Sequence, residues 1–134
     1  MPDYPVLNAT QGFPGQLTAV KVTIKSGAAG VSELFPTQGR AVMAIVMPAT
    51  WVAAAVVFRG ALSNNLASIL PIYDAGGNPE GTSANAVQAT VILFPGDAIF
   101  YPFLQLMSAT AGSFTPVDQT ADRDIILILK DYLS

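Results

Sequence analysis

Residues 41–58 read AVMAIVMPATWVAAAVVF, eighteen positions without a charge between Arg40 and Arg59. A helix of that length can span a bilayer, so the first question is whether this one does. A spanning helix would carry Pro48 near its middle, where proline removes a backbone donor and crowds the preceding turn. It would also use Val and Ile where Leu is more usual. The other reading is two buried strands, residues 41–47 and 52–58, joined by a bend at Pro48-Ala49-Thr50-Trp51. Each half has a usual strand length, and β-branched side chains crowd both. Proline also biases the residue before it toward extended geometry. Nothing else in the chain is long and apolar enough to form a second span. The two-strand reading is favoured, and no membrane partner is expected.

The flanking sequence continues the pattern. Residues 17–25 alternate, with Val20, Val22 and Ile24 on one face and Lys21, Thr23 and Lys25 on the other, as in a half-buried strand. Ser26-Gly27-Ala28-Ala29-Gly30 reads as a loop, residues 31–35 as a short strand ended by Pro36, and Gln38-Gly39 as the turn into the central pair. After Asn64-Asn65, residues 66–73 suit a strand that Pro71 demotes to an edge or bulge. Residues 74–81, DAGGNPEG, are the strongest turn signal in the chain. Residues 87–94 and 98–107 read as strands around a Pro95-Gly96-Asp97 turn, the second rich in aromatics: Phe100, Tyr101 and Phe103. A long polar loop over 108–122 leads to a last strand, 123–130, whose residues 125–129 are apolar on both faces. Such a strand is covered on both sides, within a sandwich or at a subunit interface.

About eight short strands, Gly/Pro turns and no amphipathic helix predict an all-β fold, a two-sheet sandwich with a jelly roll favoured over an immunoglobulin-like topology. Residues 17–134 form that domain. Residues 1–16 are set apart as an extended arm: Pro2, Pro5, Gly12, Pro14 and Gly15 break it, and Tyr4, Val6, Leu7 and Phe13 give it apolar handles.

Composition narrows the function. Of 134 residues, 11% are charged, 51% are hydrophobic, and the mean hydropathy is +0.48. A typical soluble domain carries about 25% charged residues. A small domain leaves much of its chain at the surface. Here that surface has to include apolar area, which usually marks partner contacts. The net charge of −3 and the lack of a basic patch argue against nucleic acid. The N-terminus shows no basic region followed by an apolar one, so no secretory signal is expected.

Histidine and cysteine are both absent, which removes the commonest general base, the most reactive nucleophile and zinc sites built on them. Asp118, Asp122 and Asp124 are the only local acidic cluster; solvated acids beside a strand start are the plain reading, ahead of calcium or paired-carboxylate catalysis. A calcium loop beginning at Asp74 fails because its twelfth position is Asn85. Gly76-Gly77 lacks a following Lys-Ser/Thr, so no phosphate loop is indicated. No enzyme, cofactor or metal is expected. Trp51, the single tryptophan, reads first as a core cap, with sugar stacking as the alternative. Phe58, Tyr73 and Arg123 join it as expected organisers of the core. Arg59 and Arg123 are rare charges whose partners the sequence does not choose.

Several segments resemble small virion proteins of tailed bacteriophages. The likeness rests on residues 47–58, MPATWVAAAVVF; on Ile72-Tyr73-Asp74 before a glycine turn; on Leu104-Gln105-Leu106-Met107-Ser108; on Pro116-Val117-Asp118-Gln119; and on Arg123 opening the last strand. It covers residues 40–130 and departs after Phe58, where many relatives carry a Ser-Asp-Gly turn and this chain has Arg59-Gly60-Ala61. The resemblance implies a β-rich capsid decoration or cement protein, a homo-oligomer, with a trimer favoured, seated on the major capsid protein at the virion surface. Expected contact residues are Tyr4, Val6, Leu7 and Phe13 in the arm and Phe114 in the long loop. The alternative is a tail- or fibre-associated module that recognises a host-surface glycan.

Overall fold

The computed structural model describes residues 17–27, 29–94 and 101–131. Eight strands form in chain order: β1 (Leu17–Ile24), β2 (Phe35–Pro36), β3 (Arg40–Val46), β4 (Ala55–Ala61), β5 (Leu70–Pro71), β6 (Val91–Leu93), β7 (Phe103–Ala109) and β8 (Arg123–Asp131). They build two four-stranded antiparallel sheets, ordered β1-β8-β3-β6 and β2-β7-β4-β5. The expected two-sheet, all-β architecture is therefore the one observed. Every connection except β4–β5 passes from one sheet to the other.

The uncharged stretch 41–58 supplies one central strand to each sheet. Among the described residues, no helix is long and apolar enough to cross a membrane. The second strand starts three residues later than the sequence suggests, at Ala55, because residues 51–54 make the corner that carries the chain between the sheets. In β3 the burial pattern does not alternate. A bulge between Val42 and Ala44 puts Met43 out of register with β8. The extra residue restarts the alternation, so Val42 and Ile45 both reach the interior while Ala44 and Val46 turn outward.

The core lies between the inner faces. Phe58 is fully buried and meets Phe94 edge-on, with ring centroids 5.7 Å apart. Around them pack Val22, Ile24, Val42, Ile45, Val56, Leu104, Leu106, Ile125, Leu127 and Leu129. Trp51 closes this core at the corner, and its indole N–H donates to the Ala54 carbonyl at 3.0 Å. Phe58 and Trp51 thus hold the places expected of them. Tyr73 does not: it is 55% exposed and meets Phe114 edge-on at 5.2 Å on the surface. Its neighbour Ile72 packs against the core, and Tyr73 meets Phe114 over the outer face instead, its backbone in an isolated bridge with Pro79.

Arg123 is buried, and its partners are neither acids nor backbone carbonyls. Its Nε donates to Gln119 Oε1 at 3.2 Å and its Nη2 to Thr120 Oγ1 at 3.1 Å. Gln119 is fully buried and is the centre of this group. Its Oε1 also accepts from Val52 N at 2.9 Å, and its Nε2 donates to Val52 O at 3.1 Å and Ser108 Oγ at 2.8 Å. The amide copies one rung of a β-ladder and ties the β3–β4 corner to the loop before β8.

Further segments differ from the sequence reading. Residues 31–35 give only isolated bridges at Val31 and Ser32, and the strand forms at Phe35–Pro36 with Pro36 inside it. Residues 66–73 form a 3-10 turn, Leu66–Ser68, and the two-residue β5. Asn65 caps that turn by accepting from Ala67 N at 2.9 Å, so the polar break reorganises the apolar run after it. Pro71 does lie in a strand at the sheet edge, as expected. Residues 87–94 yield only β6, because a turn at Gln88–Ala89 takes their first half. Strand β7 extends two residues into the expected loop, to Ala109. The Pro95-Gly96-Asp97 turn and Phe100 lie outside the described residues.

Replacing Gln119 by Ala strands the Val52 backbone groups and the Arg123 Nε in the interior. Buried donors and acceptors left without partners cost about 1–3 kcal/mol each. The expected loss is on the order of 3 kcal/mol, read from urea unfolding, and a loss below about 1 kcal/mol would show the clamp to be dispensable. Gly81 sits at φ +138 with Val56 O 2.1 Å from where a Cβ would stand. Gly81→Ala should therefore destabilise at least as much, since the obstacle is backbone of the adjoining strand β4.

Candidate functional site

Four sheet faces have to be accounted for. The two inner ones form the core. The outer face of β2-β7-β4-β5 is covered: Ala55, Val57, Met107 and Ala109 are buried under Val31 and Phe114. Phe114, expected as a partner contact, is half-buried over this second cluster and packed against Tyr73. Its place is explained by the chain's own surface.

On the outer face of β1-β8-β3-β6 no second buried cluster forms among the described residues, although Ala44 is buried there. Pairing places Ala19, Ile128, Ala44 and Leu93 in one row across all four strands. The next outward row is Lys21, Ile126, Val46 and Val91. Leu17 begins a third row beside Lys130. None of these residues belongs to either buried cluster. Leu93 is 73% exposed, Val91 59% and Leu17 55%, while Val46, Ile126 and Ile128 are half-buried. The expectation that residues 125–129 are covered on both faces holds within the sandwich for Ile125, Leu127 and Leu129. On the other side Ile126 and Ile128 are half-buried. Charges stand at the margin: Lys21 lies 3.9 Å from Asp124, and Arg40 3.3 Å from Asp131.

The acidic cluster is spent on local structure. Asp118 Oδ1 accepts from Gly27 N, Asp122 Oδ1 from Ser26 N and Asp124 Oδ1 from the Thr23 hydroxyl. Asp118 and Asp122 fix the turn after β1, and Asp124 ties the β1 side chain of Thr23 across the strand pair. Asp74 Oδ1 likewise accepts from Gly76 N and Asn78 N, closing its own loop as an Asx turn. Among the described residues no group of three His, Cys, Asp or Glu side chains could hold a metal ion. Arg59 has no ion-pair partner among the described residues.

Among the described residues a polar cleft is lined by Lys25, Ser32, Glu33, Asn64, Asn65 and Gln105 with a few aliphatic neighbours. Gln105 Nε2 donates to Ser32 O at 2.8 Å, and its buried Oε1 has no protein partner. The lining carries no aromatic platform for a sugar ring. Trp51 supplies none either, being 7% exposed. Tyr4, Val6, Leu7 and Phe13 lie outside the described residues. The residues that sequence reasoning missed are Leu17, Val46, Val91 and Leu93. Their signal was the register across four strands, which no single segment contains.

No protein-family model, curated protein or solved structure matches this chain.

The burial of Trp51 is directly measurable. Its emission should be blue-shifted, resist acrylamide quenching and stay unchanged when glycans are added. A red-shifted, glycan-sensitive spectrum would put the indole at the surface and revive the sugar-stacking alternative.

Proposed function

We propose that this chain is a structural subunit of a virion, a capsid decoration or cement protein that works by covering apolar surface with copies of itself and with the shell. The observation that carries the reading is the exposure of Leu17, Val91 and Leu93 on the apolar outer face of β1-β8-β3-β6, set against the covered outer face of its companion sheet. The likeness of residues 40–130 to small phage virion proteins supplies the particle, its major capsid protein and the surface location. A closed homo-oligomer, with a trimer favoured, suits a face that has to be buried in every copy.

The mechanism is linkage by mass action: a subunit that binds only the assembled shell stabilises that state. Magnitudes favour several contacts over one. Burying a Val, Leu or Ile side chain is worth about 1.5–3 kcal/mol, so the six open or half-open aliphatics supply roughly 5–10 kcal/mol. Association costs about 4–15 kcal/mol in lost freedom. One such face therefore gives weak pairing, and repeated contacts around a particle make it strong.

The double variant Val91→Lys with Leu93→Lys tests the reading. Both side chains are exposed, so the unfolding free energy should change by less than about 1 kcal/mol. Sedimentation should show at least tenfold weaker self-association, and co-purification with particles should be lost. A wild-type chain that sediments as a monomer at high concentration and never co-purifies with particles would overturn the proposal.

A further inference from the structure

We propose that the polar cleft over Gln105 binds a small zwitterion: a short peptide with a free ammonium, a free carboxylate and aliphatic side chains. The site goes beyond the assembly reading and uses none of its residues. Gln105 lies in β7 on the outer side of the sheet, in line with Met107 and Ala109. On one flank Ser32 bonds to β7, which brings residues 31–34 to the cleft. On the other flank β4 pairs with β7, and the chain after β4 brings Asn64, Asn65 and Leu66. The cleft measures about 760 Å³. Ligand pockets run from roughly 300 to 1,000 Å³, so a di- or tripeptide is the right scale.

The floor holds an unmet hydrogen bond. Gln105 is 3% exposed, and its Nε2 donates to Ser32 O at 2.8 Å. That bond ties one end of the amide to residues 31–34 and turns Oε1 away from them. Oε1 is buried and has no partner. Arg59, the cross-strand neighbour on the same face, does not bond it. Buried side-chain oxygens are nearly always paired, and among the described residues this one is the exception. A ligand that brings an N–H donor to Oε1 removes that exception.

Charge selects the kind of donor. Lys25 and Glu33 both line the cleft and both are exposed. Neither forms an ion pair among the described residues, with the other or with a third group. Opposite charges held apart on one cleft suit a ligand that carries both. Glu33 favours an ammonium over a hydroxyl as the donor, because charge-assisted hydrogen bonds are the stronger ones. Lys25 meets the carboxylate. Asn65 spends its Oδ1 on Ala67 N, which leaves its amide N–H groups to donate to the same carboxylate. Leu34 and Leu66 supply aliphatic contact for the peptide's side chains.

The test is a titration of isotope-labelled protein with L-leucyl-L-leucine, followed by amide NMR. The expected result is saturable shifts centred on Ser32, Asn65 and the Gln105 side-chain amide. N-acetylated leucyl-leucine lacks the ammonium and leucyl-leucinamide lacks the carboxylate; each should bind at least about tenfold more weakly. Glu33→Gln and Lys25→Met change exposed positions, and each should weaken leucyl-leucine to a similar degree with the fold intact. Gln105→Met keeps the side-chain length, removes the acceptor and should abolish the shifts; if it does not fold, the two surface variants decide. No saturable shift up to about 10 mM peptide would overturn the site. Equal binding of the three peptides, or an ordered water on Oε1 that the peptide leaves in place, would defeat the zwitterion assignment.

Discussion

Two stacked sheets have four faces, and six basic and nine acidic side chains cannot dress the outer two. That shortage shapes the rest of the molecule. Two faces bury against each other around Phe58. A third is covered from within the chain, where the loop after β7 folds Phe114 back over Val57 and Met107. Several of the charges are tied up in local structure: Asp118 and Asp122 hold the turn after β1, and Arg123 feeds the Gln119 clamp. None is left to solvate the middle of the fourth face. Its apolar character follows from composition as much as from any local motif.

Much of the architecture was legible in the chain, for reasons that differ by element. Strand β1 announced itself because one of its faces is wet, so Lys21 and Thr23 alternate with Val22 and Ile24. Residues 41–58 announced themselves because proline splits a run that both sheets bury. Residues 66–73 misled because their aliphatics sit on a short capped turn and a proline edge, where periodicity has no room to show. Strand β6 was overlong in prospect for a similar reason. Strand β3 hides its two faces behind a bulge at Met43, which breaks the alternation that would have marked Val46 as outward. The burial of Gln119 gave no signal in composition or periodicity. A glutamine in a polar loop looks solvated until the fold wraps Val52, Ser108 and Arg123 around it.

The candidate surface was less legible than the fold because it belongs to no segment. Leu93, Ala44, Ile128 and Ala19 come from four separate strands, and only their register makes them neighbours. Composition indicated that such area exists; pairing alone says where. The single tryptophan shows the reverse case. Its position between two apolar strands marked it as core, and its indole N–H finds a carbonyl three residues on, so the polar atom is satisfied without solvent.

The position of β8 has a consequence for how the protein is made. The last strand of the chain is central in its sheet and hydrogen-bonds to both the first strand and β3. As the polypeptide leaves the ribosome, β1 has no partner in its sheet until residues 123–131 emerge. Every intermediate formed before then carries a split sheet. A chain cut before residue 123 lacks the strand that joins β1 to β3 and β6, so its sheet stays in two pieces.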